Sequence, residues 1–159
     1  MGIDPRQLRV EIIRPALQDV GLWSEAAEEL ILGTICQESQ CGRYLTQIKG
    51  PALGICQMEP ATYRDLWANF LEWKQGLCEK ILNASGFPYG SRPGAEDMIY
   101  NLRFAVLMCR VYYLRIPAPL PPAGDLEAQA RYWKLYYNTP KGKGTVAQYV
   151  KNYRGGSYA

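Results

Sequence analysis

Apolar residues recur three or four positions apart in several segments of this chain, and no segment alternates strongly enough to require a β-sheet. The clearest case follows Ser24, a residue type that is favoured at helix N-termini. From there, one helical face would carry Ala27, Leu30, Ile31, Thr34, Ile35 and Glu38. This spacing predicts a helix that ends near Glu38 and packs against a core, and we expect a mostly α-helical fold.

Capping residues and apolar stripes predict further helices. Asp4 before Pro5 begins a first helix that reaches Val20. The other predicted helices span about 60–81, 96–114 and 125–137, and a last one begins near residue 145. The segment 42–57 has room for a short β-hairpin. A length of 159 residues suits one core, so we expect a single domain over residues 1–159.

The chain contains no histidine, which removes the commonest general base, the commonest metal ligand and every Ser-His or Cys-His mechanism. Carboxylates are left as the candidate acid/base groups. The five cysteines are odd in number, widely spaced and without a CxxC pair, so no zinc site is indicated. We expect reduced and mostly buried thiols, with one disulfide as the alternative, and neither a metal nor a cofactor.

The charge pattern indicates the type of partner only weakly. There are 18 basic and 15 acidic residues, and the basic stretch 141–154 is best interpreted as a solvated face, with attraction to an anionic wall polymer as the alternative. We do not expect a nucleic-acid partner.

The N-terminal residues lack the apolar run of a secretory signal. The apolar segment 98–116 contains three arginines, which favours a buried helix over stable insertion in a membrane.

Glu38 is the strongest catalytic candidate, because it lies where an amphipathic helix should bury an apolar side chain. Burial disfavours the ionised carboxylate and raises its pKa. A carboxyl group that stays protonated near neutral pH can donate its proton to a leaving oxygen. A glutamate at a helix end that turns into solvent is the alternative.

Three blocks of sequence resemble the soluble lytic transglycosylases and the related goose-type lysozymes, and they follow in that family's order. Glu38 to Gly42 is similar to the helix-ending Glu-Ser of the family, which is followed by a glycine. Ala52 to Thr62 resembles the Ala-x-Gly-Leu-x-Gln-x-x-Pro-x-Thr block that lines the sugar groove. Tyr137 to Val146 looks like the Tyr-Asn-Ala-Gly block, but Thr139 and Pro140 replace its last two residues.

The resemblance implies a lysozyme-like domain that cleaves peptidoglycan glycan strands. Glu38 would be the acid/base for the β-1,4 bond between N-acetylmuramic acid and N-acetylglucosamine, with a 1,6-anhydro product. The implied substrate-binding residues are Ser39, Gln57, Met58, Glu59, Tyr137 and Asn138. Of these, Tyr137 would hydrogen-bond either Glu38 or the substrate.

Two other functions fit the same residues. One is a muramidase that adds water, helped by Glu59 or Asp65. The other is a structural or glycan-binding virion protein without turnover.

We expect a bacteriophage origin, with the protein in the virion or the host cytoplasm and its substrate in the periplasmic wall. If the protein is carried in the virion, other virion proteins would be its partners.

Overall fold

Helices make up most of residues 2–156, which are the residues that the computed structural model describes. Helix α1 (Pro5–Gln7), a π-helical segment (Leu8–Ile13) and α2 (Arg14–Asp19) follow one another directly. The remaining elements are α3 (Glu25–Ser39), α4 (Pro60–Asn69), a 3-10 turn (Leu71–Trp73), α5 (Gln75–Ala84), α6 (Asp97–Tyr100), α7 (Leu102–Arg115), α8 (Leu126–Tyr132), a second π-helical segment (Trp133–Asn138) and α9 (Val146–Gly156). The predicted mostly α-helical fold is confirmed.

Polar side chains begin several helices as the sequence predicts. Asp4, Ser24 and Asp125 each accept a hydrogen bond from a backbone N–H two or three residues further on. Before α9, Thr145 and Gln148 exchange backbone-to-side-chain hydrogen bonds, which is the reciprocal arrangement of a capping box. These local contacts fix where the helices start.

The predicted hairpin between residues 42 and 57 is wrong, and no β-strand forms within residues 2–156. The segment makes only isolated antiparallel bridges, which pair Thr46 with Leu53 and Leu53 with Met58. Gly54 and Gln57 both have positive φ, at 77° and 50°. These left-handed residues turn the chain so tightly between the bridges that no run of extended residues is left to pair.

The predicted helix over 60–81 is interrupted. It stops at Asn69, passes through the 3-10 turn and resumes at Gln75. The break turns Leu71 into the core and leaves Trp73 81% exposed. A stripe at helical spacing therefore did not guarantee one continuous helix.

The predicted helix over 96–114 is also two helices, separated by Asn101. The backbone of this residue is extended, with φ −124° and ψ 102°, and its side-chain oxygen accepts from the N–H of Phe104 to cap α7. Its amide nitrogen donates to the carbonyl of Ser85. A residue type that competes with the helix backbone thus ends one helix and starts the next.

Helix α7 lies in the core, as expected from its charges and length. It is 14 residues long, and every residue from Phe104 to Val111 is buried. Arg110 is also buried and donates to the backbone carbonyl of Leu22. Within residues 2–156, no helix is both long enough and apolar enough to cross a bilayer.

Helix α3 occupies the centre of the fold and is held closely by its neighbours. At Gly33 it approaches α9 so tightly that an added Cβ would lie 1.9 Å from the hydroxyl oxygen of Tyr149. One residue further on, the hydroxyl of Thr34 donates to the carbonyl of Leu30 and lies 2.8 Å from the hydroxyl of Tyr113 on α7. This packing fixes the position and rotation of α3, and with them the direction in which Glu38 points.

The other end of α3 carries a buried carboxylate. Glu28 accepts hydrogen bonds from the guanidinium groups of Arg9 and Arg14 and from the indole of Trp23. Burial alone would raise the pKa of Glu28, but these hydrogen bonds outweigh it and lower the pKa to about 2. Glu28 therefore ties α3 to the first helical segments through an ionised network.

Candidate active site

A cleft of about 560 Å³ opens beside the C-terminal end of α3. Its walls come from that helix end, from the turns around residues 47–62 and from the second π-helical segment with the loop after it. Six of the predicted site residues line it, namely Glu38, Gln57, Met58, Glu59, Tyr137 and Asn138. The structure thus brings three separate sequence blocks to one surface.

Glu38 lies in the last turn of α3, and its side chain is half-buried at the wall of the cleft. Burial raises the pKa of Glu38 to about 7, although a hydrogen bond from Trp133 acts in the opposite direction. The indole N–H of Trp133 donates to the Oε1 atom of Glu38 at 2.9 Å. The carboxyl group therefore keeps its proton to a higher pH than an ordinary glutamate, and the indole holds it in one orientation.

Trp133 is the residue that sequence reasoning missed. It lies within the predicted helix over 125–137, where it is fully buried and packs against Tyr149. A buried indole usually needs a partner for its N–H, and this was the signal that could have linked it to a carboxylate. The sequence could not say which one, because 95 residues separate Trp133 from Glu38.

Tyr137 does not hydrogen-bond Glu38, which was one of the two partners expected for it. Its hydroxyl donates to the backbone carbonyl of Cys56 at 2.7 Å, so Trp133, one turn earlier, takes the place beside Glu38 that was expected for this tyrosine. Burial raises the pKa of Tyr137 well above its usual value. Tyr137 therefore acts as a neutral donor that ties the π-helical segment to the turn that carries Gln57.

Gln57 projects into the cleft from a strained backbone position, with φ 50°. Its side-chain nitrogen donates to the carbonyl of Gly54 at 2.8 Å, which fixes the plane of the amide. Its side-chain oxygen accepts no hydrogen bond from residues 2–156. An oriented amide with an open acceptor is suited to a hydroxyl or N-acetyl group.

Met58 and Glu59 follow in the same wall. The side chain of Met58 is 3% exposed, and its backbone exchanges two hydrogen bonds with Leu53, so it mainly shapes the cleft floor. Glu59 is exposed and precedes α4, and it makes no ion pair with any residue in the described range. It is therefore the second carboxylate of the cleft.

Asn138 ends the π-helical segment and organises the loop that follows. Its side-chain oxygen accepts from the ammonium group of Lys134 at 2.7 Å, and the same ammonium donates to the carbonyl of Gly142. A Cβ at Gly142 would come within 2.5 Å of two oxygens of Asn138. The extended loop, which departs from the resembled family, thus folds back to form the cleft rim with Lys143.

Two other predicted residues do not face the cleft. Ser39 is fully buried, where it donates to the carbonyl of Ile35 and accepts from the N–H of Gly42. This corrects its expected contact with substrate, since its hydroxyl instead fixes the turn after α3. Asp65, expected as a possible helper carboxylate, is paired with Arg115 away from the cleft.

No protein-family model, curated protein or solved structure was found to match this chain. Among residues 2–156, no group of three or more cysteine, aspartate or glutamate side chains is placed to hold a metal ion. A buried carboxyl that exchanges its proton near neutral pH, set in a polar cleft, can act as a general acid and then as a base.

Proposed function

We propose that this protein is a peptidoglycan lytic transglycosylase with a lysozyme-like fold, and that Glu38 is its acid/base. The observation that carries the proposal is the burial of this carboxyl at the wall of a cleft, where its pKa is raised to about 7. The resemblance of three sequence blocks, whose residues line that same cleft, supports the choice of substrate.

The reaction needs one carboxyl group. Protonated Glu38 gives its proton to the oxygen that joins N-acetylmuramic acid to N-acetylglucosamine, and the bond from C1 of the muramic acid to that oxygen breaks. The ring then carries oxocarbenium character. Glu38, now ionised, removes the proton from the 6-hydroxyl of the same sugar, and the oxygen of that hydroxyl bonds to C1. Glu38 ends protonated, and no water is consumed.

The cleft supplies polar groups that suit a sugar chain. Gln57 offers its open amide oxygen, and Asn138 offers an amide that Lys134 holds in place. Trp133 donates to Glu38, so it favours the ionised carboxylate that forms when the proton has been given away. This hydrogen bond would stabilise the state that acts as the base.

A muramidase that adds water is the second candidate, because Glu59 lines the same cleft as Glu38. In an inverting hydrolase a second carboxylate, roughly 6.5–9.5 Å from the acid, activates the attacking water. The exposed position of Glu59 at the start of α4 leaves it open to such a water. Hydrolysis would depend on Glu59, whereas anhydro formation would not.

Mass spectrometry of digested peptidoglycan tests both candidates. The transglycosylase predicts muramic ends one water lighter than reducing ends, a loss of at least about 100-fold in rate for Glu38→Gln, and nearly normal rates for Glu59→Gln. Reducing ends together with an inactive Glu59→Gln would establish the muramidase instead. Full activity of Glu38→Gln, or glycan binding without any cleavage by the wild type, would overturn the proposal.

A further inference from the structure

Two cysteines lie in contact at the end of α3, and neither of them lines the cleft. The sulfur atoms of Cys36 and Cys41 are 2.9 Å apart, which is about 0.9 Å more than a disulfide bond of roughly 2.0 Å. Gln40 and Cys41 both have positive φ, at 52° and 57°, so the chain reverses after the helix and returns Cys41 to Cys36. The backbone already holds the two thiols together.

The pair is reachable although both residues are buried. Cys36 and Cys41 line a cavity of about 650 Å³, together with the N-terminal segment from Gly2 to Pro5 and with Lys151 and Asn152 of α9. None of the residues that line this cavity lines the Glu38 cleft. A small reagent can therefore approach the thiols without entering the cleft.

We propose that Cys36 and Cys41 form a dithiol site that a small-molecule disulfide, such as oxidised glutathione, converts to an intramolecular disulfide. The thiolate of Cys41 attacks one sulfur of the reagent, the sulfur–sulfur bond of the reagent breaks, and the first thiol leaves with a proton. Cys36 then loses its proton and attacks the sulfur of Cys41, which releases the second thiol. The two cysteines are oxidised, and one reagent disulfide is reduced to two thiols.

The order of attack follows from the contact between the thiols. The hydrogen bond from Cys36 lowers the pKa of Cys41, whereas the same contact, together with burial, raises the pKa of Cys36. Cys41 is also the more exposed of the two, at 7% against 1%. Cys41 is thus the attacking group and Cys36 the resolving one.

The other cysteines are less suited to this reaction. Cys56 and Cys109 are fully buried and line none of the cavities described above. Cys78 is half-buried, and no second thiol in the described range contacts it. It is therefore a matched control, because it can take up a glutathione adduct but has no neighbour that resolves it.

The disulfide would close a ring around residues 36–41, which include Glu38 in its middle. Closing a ring of this size removes conformations from the unfolded chain and should raise the Tm by about 4–8 °C. The proposed disulfide is independent of the proposed function, because mass and Tm report it without any activity measurement.

The experiment oxidises the wild-type protein with oxidised glutathione, alkylates the remaining thiols and maps tryptic peptides by mass. Residues 10–43 form one peptide, since Arg14 precedes proline, and it contains only Cys36 and Cys41 among the cysteines. We expect this peptide to lose two hydrogens and to take up no alkylating reagent, and the Tm to rise until dithiothreitol reverses both changes. The Cys78→Ser variant should behave in the same way.

Two results would overturn the inference. One is alkylation of both Cys36 and Cys41 after oxidation, or a glutathione adduct on Cys41 that is never resolved. The other is an equal rise of the Tm in the Cys41→Ser variant. The peptide map is obtained on wild-type protein, so it decides the question even if that variant fails to fold.

Discussion

Replacing Glu38 with glutamine should make the protein more stable at alkaline pH while it removes the proposed proton donor. The pKa of Glu38 is about 7 in the folded protein and ordinarily 4.5. Between these values the folded state holds a proton that the unfolded state has lost, so the free energy of unfolding of the wild type falls as the pH rises. The glutamine side chain of the variant is neutral throughout and can still accept from Trp133.

The size of the effect follows from the pKa difference. A shift of 2.5 pH units, from 4.5 to about 7, corresponds to about 3 kcal/mol at about 1.36 kcal/mol per unit. We therefore expect Glu38→Gln and the wild type to be about equally stable below pH 4.5. The variant should be more stable by about 3 kcal/mol above pH 7, with the difference developing between these limits.

Urea unfolding at several pH values between 4 and 8 measures this difference directly. Other ionisable groups titrate alike in both proteins, so they cancel in the comparison. Glu59→Gln is the matched control, because Glu59 is exposed at the same cleft, and its stability should follow the wild type within about 0.5 kcal/mol. A difference between Glu38→Gln and the wild type that does not change with pH would refute the burial of this carboxyl.

Two further changes test the polar contacts at the two ends of α3. Trp133→Phe removes the hydrogen bond that lowers the pKa of Glu38, so the alkaline limb of the pH–rate profile should move up by about one pH unit. The control Tyr149→Phe alters the same aromatic contact and should leave the limb in place. An unmoved limb in Trp133→Phe would contradict the assigned hydrogen bond. Glu28→Gln should lower the free energy of unfolding by about 2–3 kcal/mol at pH 7, because Arg14 and its neighbours lose an ionised partner. The pKa of Glu28 is lowered in the folded state, so this loss should shrink as the pH falls from 4.5 toward 2, and urea unfolding that shows an equal loss at pH 3 and pH 7 would contradict it.

Local sequence was sufficient for several helix starts but not for the helix lengths. Asp4, Ser24 and Asp125 cap helices through contacts that span two or three residues, and such contacts can be predicted from the sequence. The break at Phe70 depends on which side chains reach the core. The break at Asn101 depends on a hydrogen bond to the carbonyl of Ser85, 16 residues away. Periodicity cannot detect these competing contacts, so each pair of helices was predicted as one.

The candidate site divides in a similar way. The order of the three blocks singled out Glu38, Gln57 and Tyr137, and the structure places all three in one cleft. Ser39 was misassigned because a serine at a helix end can face either inward or outward. Its inward orientation depends on the turn to Gly42, where the serine oxygen is needed to accept a backbone N–H.

The sequence by itself determined that the fold is mostly helical and that Glu38 lies on the inner face of its helix, and its lack of histidine left carboxyl groups as the candidate acid/base groups. These conclusions rest on residue types and on short spacings, which act through local geometry. Only the tertiary structure decided that the indole of Trp133, 95 residues away, would donate to Glu38, and that Cys41 would turn back onto Cys36. Burial and the partner of a buried polar atom depend on how distant segments pack, and packing is a property of the whole chain.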